Sequence, residues 1–436
     1  MNPELGRTVR LKIEKIVYPG RRLARKDGRV FFTDDGLPGE TIEAEILKER
    51  PSFVEARTTA ILLPSPRRVP ARCGHYLACG SYQCLPYADQ LDLKKAQFQE
   101  IFRGLEPDLT DGIEIVPSPL EWHYRNKIRF SLRGSGPEAF LAYHEPGSRE
   151  AFVPTDGCYL ATERSCAAAA AVRDAVRERG GSDLAEIEIR ESRSENQILV
   201  NLYWRTRRSE EDVRAILAAL RPRFPPVGAV SWTARRDGQM ADFREDGSDT
   251  LLERVGEIVF EVGAGSFFQV NGAILPQVLE AVAAAADLRG TETVADVYGG
   301  VGTFGLTLGR KAGRVHIVES LPDNIRRLKG NIVRNGLDNV EVCAGRGEDW
   351  MADLAGRGLD VVILDPPRKG LAPEVIAALK GHPVGKIIYL SCNPTTLARD
   401  IGLLGGSYRS SCLRMFDFFP QTPHIETLAV LTSNGL

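Results

Sequence analysis

Between Val9 and about Leu63, apolar and polar residues alternate in short runs, VRLKIEKI, GRVFFTDD, TIEAEILKE and EARTTAILL, broken by YPG, DDGLPGE and LPSP. A period of two sends alternate side chains to opposite faces, so these runs predict half-buried strands, four or five of them in roughly 55 residues. That spacing fits an OB-like barrel over residues 1–64, a fold often used on nucleic acids. LPSPRRVP (63–70) reads as a linker. Residues 65–264 then mix the two periods and predict an α+β domain. A Cys-rich loop leads into a helical run, YADQLDLKKAQFQEIFRGL, with Leu91, Phe98, Ile101 and Leu105 on one face. Strand-like runs follow (KIRFSLRG, AEIEIRES, QILVNLYW, VSWTARRDG, EIVFEVG), with helices over the Ala-rich 165–178 and EEDVRAILAALR. Over residues 265–436 the pattern becomes helix, apolar strand, loop, repeated, from ILPQVLEAVAAAADL to the closing ETLAVLTS. Continuous apolar strands alternating with helices imply a Rossmann-like parallel sheet covered on both faces. The fold class is therefore a multidomain α/β protein.

Composition changes this picture at two points. The 56 Lys and Arg nearly balance 58 Asp and Glu, so overall charge points to no polyanion, but residues 1–30 hold nine basic residues against three acidic ones. A net excess of that kind suits phosphate contact. The eight cysteines are too few for a disulfide scaffold in 436 residues, so clustered cysteines point to metal or catalysis. The charged start, MNPELGRTVRLKIEKI, lacks the apolar core of a secretory signal. No apolar run approaches the roughly 18 residues that span a bilayer. A cytoplasmic protein without a membrane partner is the expectation.

Candidate chemistry lies mainly in the last third. VADVYGGVGTFGLTLG (294–309) is a strand, a loop with Gly299, Gly300 and Gly302, and a helix start, which lets backbone approach a ligand at the strand's C-terminal edge. Glu319, ending VHIVES, is placed to accept from ribose hydroxyls. In LDVVILDPPRKG an acid followed by two prolines makes a stiff loop that presents Asp365 to cofactor and target base, a pattern of S-adenosylmethionine methyltransferases rather than dehydrogenases. Cys392, in Ser-Cys-Asn-Pro, sits one strand later, before a helix whose N-terminus favours a thiolate. Carbon 5 of uracil becomes a nucleophile once a thiolate adds to carbon 6, and release then requires a base. Near the C-terminus DFFPQTPHIETLAVL offers His424 and Glu426, and Glu426 at the head of an apolar strand suits that base. Cys73, Cys79 and Cys84 with Cys158 could hold an iron–sulfur cluster or zinc, although C-x5-C-x4-C matches neither a zinc ribbon nor a ferredoxin. Cys166, Cys343 and Cys412 read as core.

Taken together, FFQVN (267–271), DVYGGVGTFGL (296–306), DPPRKGL (365–371), SCNPTTLARD (391–400) and FPQTPHIETLAVL (419–431) resemble, in order, the motifs of the RNA 5-methyluridine methyltransferases. DGRVFF and LPGE resemble the family's RNA-binding TRAM domain, and YRNK (124–127) a motif near its RNA site. The resemblance implies a class I methyltransferase domain in which Gln269, Tyr298, Glu319 and Asp365 contact S-adenosylmethionine, Cys392 is the nucleophile and Glu426 the base. It also implies a [4Fe-4S] cluster, with two departures from the usual motifs. Gly299 stands where the cofactor loop usually has Cys, and the cluster pattern C-x5-C-G-G-C becomes Cys79-Gly80-Ser81-Tyr82, with Cys84 as the next cysteine. Cys73, Cys79 and Cys158 match.

The reading is a monomeric enzyme that methylates carbon 5 of a uridine in structured rRNA or tRNA, with no DNA partner. Cytosine-5 methylation is the alternative within the class, although such enzymes usually carry a Cys beside the Pro that follows Asp365, and Asp365-Pro366-Pro367-Arg368 has none. A non-catalytic RNA-binding or folding factor is the alternative from another class.

Overall fold

The computed structural model describes residues 6–148, 150–179, 183–206, 210–234 and 240–435. Thr8–Val17, Arg21–Lys26, Arg29–Thr33, Thr41–Glu49 and Val54–Leu63 close into a barrel. Its core is the inward set that the alternation marks: Leu11, Ile13, Phe31, Ile42, Ala44, Ile46 and Val54. The strand absent from the hydrophobic pattern, Arg21–Lys26, is basic, and Arg22 turns inward. Its guanidinium donates to the Gly20 and Ser81 carbonyls. Much of the basic excess is likewise internally paired, Lys15 with Glu100, Arg25 with Glu14 and Arg29 with Glu49. The linker is anchored: Arg68 donates to the fully buried Glu40 carboxylate of the barrel at 2.8 Å.

The middle of the chain forms a seven-stranded sheet that runs, in order, Met240–Gly247, Gly228–Ala234, Gln197–Trp204, Leu184–Ser192, Lys127–Arg133, Phe140–His144 and Phe152–Pro154. Helices Glu163–Arg179 and Glu210–Leu220 pack Ala168, Val172, Val213 and Leu217 onto it. The tail of VSWTARRDG, at 235–238, lies outside the described residues. A separate hairpin, Thr250–Val255 with Ile258–Gly263, feeds Leu251, Phe260 and Val262 into the core of the last domain.

The C-terminal sheet has eight strands: Val340–Ala344, Arg314–Glu319, Thr293–Val297, Val361–Leu364, Lys386–Ser391, Glu426–Ser433, Tyr408–Phe416 and Glu114–Val116. The first five are parallel; Glu426–Ser433 is antiparallel to both its neighbours. Alternate residues of each strand enter one of two cores, Val294, Ile317, Ile363 and Ile388 on one face and Ala295, Val318, Val362 and Ile387 on the other. Glu114–Val116 comes from far upstream and pairs parallel with Tyr408–Phe416. Three residues carry too little pattern to be read as a strand alone.

The helix Tyr87–Ile101 keeps part of an expectation and corrects part. Phe98 is buried with Ile101 and Leu105 packed against the same core, Leu91 is outside it, and beside them runs an inward stripe of Gln90, Lys94 and Gln97. It is polar because it meets polar backbone. Gln97 donates to the Ile16 carbonyl of the barrel at 2.9 Å, Lys94 pairs with Asp417 at 2.6 Å and donates to the Phe419 carbonyl at 3.0 Å, and Gln90 donates to Gln421 Oε1 at 2.8 Å. Both partners of the Lys94–Asp417 pair are fully buried. Removing one charge leaves the other stranded in low dielectric, so Lys94→Met should cost about 3–5 kcal/mol, read as a lowered urea midpoint. Adding Asp417→Asn should recover part of that loss, and a single variant as stable as the parent would overturn the clamp.

Candidate active site

The strand Thr293–Val297 delivers the chain into a turn at Tyr298, whose φ of 72° is unusual for a side chain of that size. Its ring lies against Gly347, 3.1 Å from where a Cβ would stand. Glycine is required next: a Cβ on Gly299 would lie 2.3 Å from Ile317, and Gly302 has φ +98° and no room before Leu306. Beneath the loop, buried Asp296 accepts from the Gly305 N–H at 2.7 Å, and its Oδ1 has no partner. Burial, with Glu319 nearby, pushes its carboxyl up to about 7.

Glu319 ends the next strand and braces the loop. Its Oε2 accepts from the Gly300 N–H at 2.9 Å, and Oε1 from the Ser320 and Leu321 N–H groups at 2.6 and 2.7 Å. A carboxylate has about four acceptor sites, so one remains on Oε2 for a donor such as a ribose hydroxyl. Asp365, just past Val361–Leu364, is half-buried, and burial together with the Asp296 carboxylate pushes it up to about 7. Gln269 is half-buried, and its carbonyl accepts from Asn126 Nδ2 at 3.1 Å, which ties FFQVN to YRNK.

Cys392 follows the strand Lys386–Ser391 and precedes the helix Pro394–Leu404, which Asn393 caps by accepting from the Thr395 N–H at 3.1 Å. Around the thiol stand Glu426, Arg368 and Asp365. Contrary to the expected thiolate, the thiol is pushed up to about 11, first by burial and then by the Glu426 and Asp365 carboxyls; Arg368 alone among these groups pulls it down. Glu426, the buried first residue of its strand, is held well above the usual carboxylate range by burial and by Asp365, with Arg368 opposing. Arg368 donates to His424 Nδ1 at 2.7 Å, and burial beside Arg368 and Arg125 pushes that imidazole down to about 4, so it accepts as a neutral ring. The barrel enters here as well: Tyr18 Oη donates to the Cys392 carbonyl at 3.4 Å.

Arg368 and Tyr18 were invisible as site residues in the motifs. Arg368 had one signal, its place directly after Asp365-Pro366-Pro367; Tyr18 had none. The loop before Glu426 is held from several sides. Tyr124 Oη donates to the Pro420 carbonyl at 3.1 Å, Asn271 Nδ2 to the Phe418 carbonyl at 3.0 Å, and the Gln421 N–H to Gln90 Oε1 at 2.9 Å.

The cysteines divide differently from the spacing. Cys73, Cys79 and Cys158 are brought together, with His75 among them. Cys84 is not with them: it is buried beside Ile16, Leu37, Tyr82 and Leu85, its Sγ directed at the Ser81 carbonyl. The expected set of four thiols is therefore not assembled: Cys84 is packed under the barrel, apart from Cys73, Cys79 and Cys158. Cys343 is core, as expected, whereas Cys412 is exposed and Cys166 abuts the Cys158 backbone.

Comparison with known proteins places the chain. Residues 86–434 match the tRNA (uracil-5-)-methyltransferase family model, and residues 4–59 match the TRAM domain. An uncharacterized RNA methyltransferase of Nitratidesulfovibrio vulgaris is 31% identical over 98% of this chain and 96% of its own length. One from Enterococcus faecalis is 29% identical over 97% of each. The fold is shared with the Pyrococcus abyssi tRNA (uracil-54, C5)-methyltransferase, solved with S-adenosyl-L-homocysteine, at a TM-score of 0.76 and 24% identity over 97% of this chain and all of that one. With its family segment and barrel both matched, the chain belongs to the tRNA (uracil-5-)-methyltransferase family and carries an N-terminal TRAM domain.

Proposed function

We propose that this protein transfers the methyl group of S-adenosylmethionine to carbon 5 of a uridine in structured RNA, with Cys392 as nucleophile and Glu426 as base. The observation that carries the reading is the meeting of a thiol, a buried carboxyl and one guanidinium at the C-terminal edge of the sheet, beside the glycine loop. Glu319, Asp296, Asp365 and Glu426 form a row in which each carboxyl raises the next. Such a row is relieved by a cation, and the sulfonium of S-adenosylmethionine is one. Gln269, Tyr298, Glu319 and Asp365 are the residues proposed to hold that cofactor.

A uridine flipped from its stack would meet Cys392. The Cys392 Sγ loses its proton to solvent and bonds to carbon 6, sending the ring's electron pair toward carbon 5 and its conjugated carbonyl. Carbon 5 takes the methyl, the donor leaves as the neutral thioether, and Glu426 removes the hydrogen from carbon 5 as the C6–S bond breaks. Forming the C6–S bond moves the thiolate charge onto the ring, and methyl transfer from the sulfonium then neutralises it, so Glu426 ionises with no anion on the sulfur or the ring beside it. Arg368 stabilises both anions in turn.

Cys392→Ala should lower turnover by at least roughly 10³-fold while cofactor binding survives; turnover near the parent rate would sink the covalent route. Glu426→Gln should slow release by about 10²–10⁴-fold and accumulate a protein–RNA adduct that survives a denaturing gel. Because the thiol is held at about 11, protonated Cys392 dominates at neutral pH, and single-turnover rates should climb about tenfold per pH unit until they level off. Arg368→Met removes the pull in the opposite direction and should shift that rise to higher pH. A flat profile in both proteins would remove Cys392 ionisation from the rate. The RNA is identified by nucleoside mass spectrometry of separately purified tRNA and rRNA from cells with and without the gene: loss of 5-methyluridine from one pool names the substrate, and loss of another methylated base instead would refute carbon-5 chemistry.

A further inference from the structure

The strongest cluster of metal-binding chemistry outside the active site lies where the first Cys-rich loop meets the central sheet. Cys73 Sγ, a ring nitrogen of His75 and Cys79 Sγ all lie within 4.8 Å of one another. Cys158 completes the group, in contact with both Cys79 and His75. His75 is buried, its ring lies tilted against Tyr143 with centroids 5.1 Å apart, and its Nε2 has no hydrogen-bond partner. Tyr143 Oη, also unpartnered, faces Cys158. A cavity of about 520 Å³, lined by Cys73, His75, His123, Cys158 and Glu163 among others, opens beside the group.

From these residues we infer that Cys73, His75, Cys79 and Cys158 form a Cys₃His site for a single tetrahedral ion of the zinc type, in place of a four-cysteine iron–sulfur cluster. Three observations favour it. The donor set is three thiols and one imidazole, a combination that structural zinc sites use. With metal–sulfur bonds of about 2.3 Å, donor atoms around one tetrahedral ion lie roughly 3.5–4 Å apart; Cys73, His75 and Cys79 lie within 4.8 Å of one another and Cys158 touches Cys79 and His75, so the four need draw in only slightly on one ion, whereas a four-iron cube must spread its outer ligands around all its iron atoms. Of the other cysteines nearby, one is placed elsewhere and one is held by the Cys158 backbone. Cys84 is packed among apolar residues under the barrel. Cys166 accepts from the Cys158 N–H and directs its Sγ at the Cys158 carbonyl, both at 3.4 Å. Where the family motif has its third cysteine this chain has Tyr82, which is wholly buried and hydrogen-bonded to Gln97. His75, two residues after Cys73, takes the vacant ligand position.

The ion would be structural. It joins the loop that follows the barrel linker to the Cys158 turn, and the backbone just beyond that turn, at Ala161, bridges to Arg125 of YRNK.

The test is metal analysis of the full chain purified without chelator under reducing conditions, with zinc, iron and acid-labile sulfide measured together. About one zinc and no sulfide per chain is the expected result. X-ray absorption on that protein should show three sulfurs at about 2.3 Å and one nitrogen at about 2.0 Å, which requires no variant. His75→Ala should release most of the zinc and lower the melting temperature, His75→Cys should retain it, and Cys84→Ala should hold as much as the parent. Iron with matching sulfide, a shell of four sulfurs, zinc retained in full by His75→Ala, or no uptake of added zinc would each overturn the assignment.

Discussion

The arrangement of the molecule depends on one buried polar stripe. The helix Tyr87–Ile101 belongs by position to the middle of the chain, yet its inward residues grip two other parts at once. Gln97 holds the barrel through the Ile16 carbonyl, Gln90 holds Gln421, and Lys94 neutralises Asp417 at the start of the loop that leads to His424 and Glu426. Burial depresses the affinity of the Lys94 ammonium for its proton, so the charge persists only because Asp417 and the Phe419 carbonyl complete its coordination. An apolar stripe would have packed the same helix with more freedom to slide. Directional bonds give it one register, and through that register the base-bearing strand and the barrel are set relative to one another.

Electrostatics in the active site follows the opposite rule. Most of its charged groups share one sign, four carboxyls along the sheet edge with Arg368 as the compensating cation near the thiol. The site is therefore poised rather than satisfied: Asp296 keeps an unpartnered oxygen, and Glu319 keeps one free acceptor position after bracing the loop. Groups held in this way respond strongly to whatever charge arrives.

Much of this was legible in the chain itself. Period-two alternation marked four of five barrel strands, and continuous apolar runs marked the parallel sheet, because burial on one face or two is a local property of composition. The placement of Cys392, Asp365 and Glu426 along one sheet edge was legible for a related reason: the first two follow parallel strands at their C-terminal ends, and Glu426 opens the antiparallel strand beside them. What escaped is what tertiary proximity alone creates. Tyr18 reaches the Cys392 carbonyl across 374 residues, and Arg21–Lys26 is a strand whose sequence is basic rather than alternating. On Tyr87–Ile101 the apolar contacts of Phe98 and Ile101 were legible, but the inward stripe of Gln90, Lys94 and Gln97 was not, because its partners are polar groups of distant segments. Cys84 followed spacing into the wrong set, and His75 was overlooked because a search by cysteine intervals does not weigh a histidine between them.

The contact between Tyr18 and Cys392 bears on how such enzymes diversify. A recognition module joined by a tether can be exchanged freely, since nothing behind the tether senses what replaced it. Here the tip of the barrel is part of the wall around Cys392, so any module put in its place has to supply that wall as well. The turn at Tyr18 is therefore constrained from two sides, by the barrel that carries it and by the Cys392 backbone that it meets, across a boundary one side chain wide.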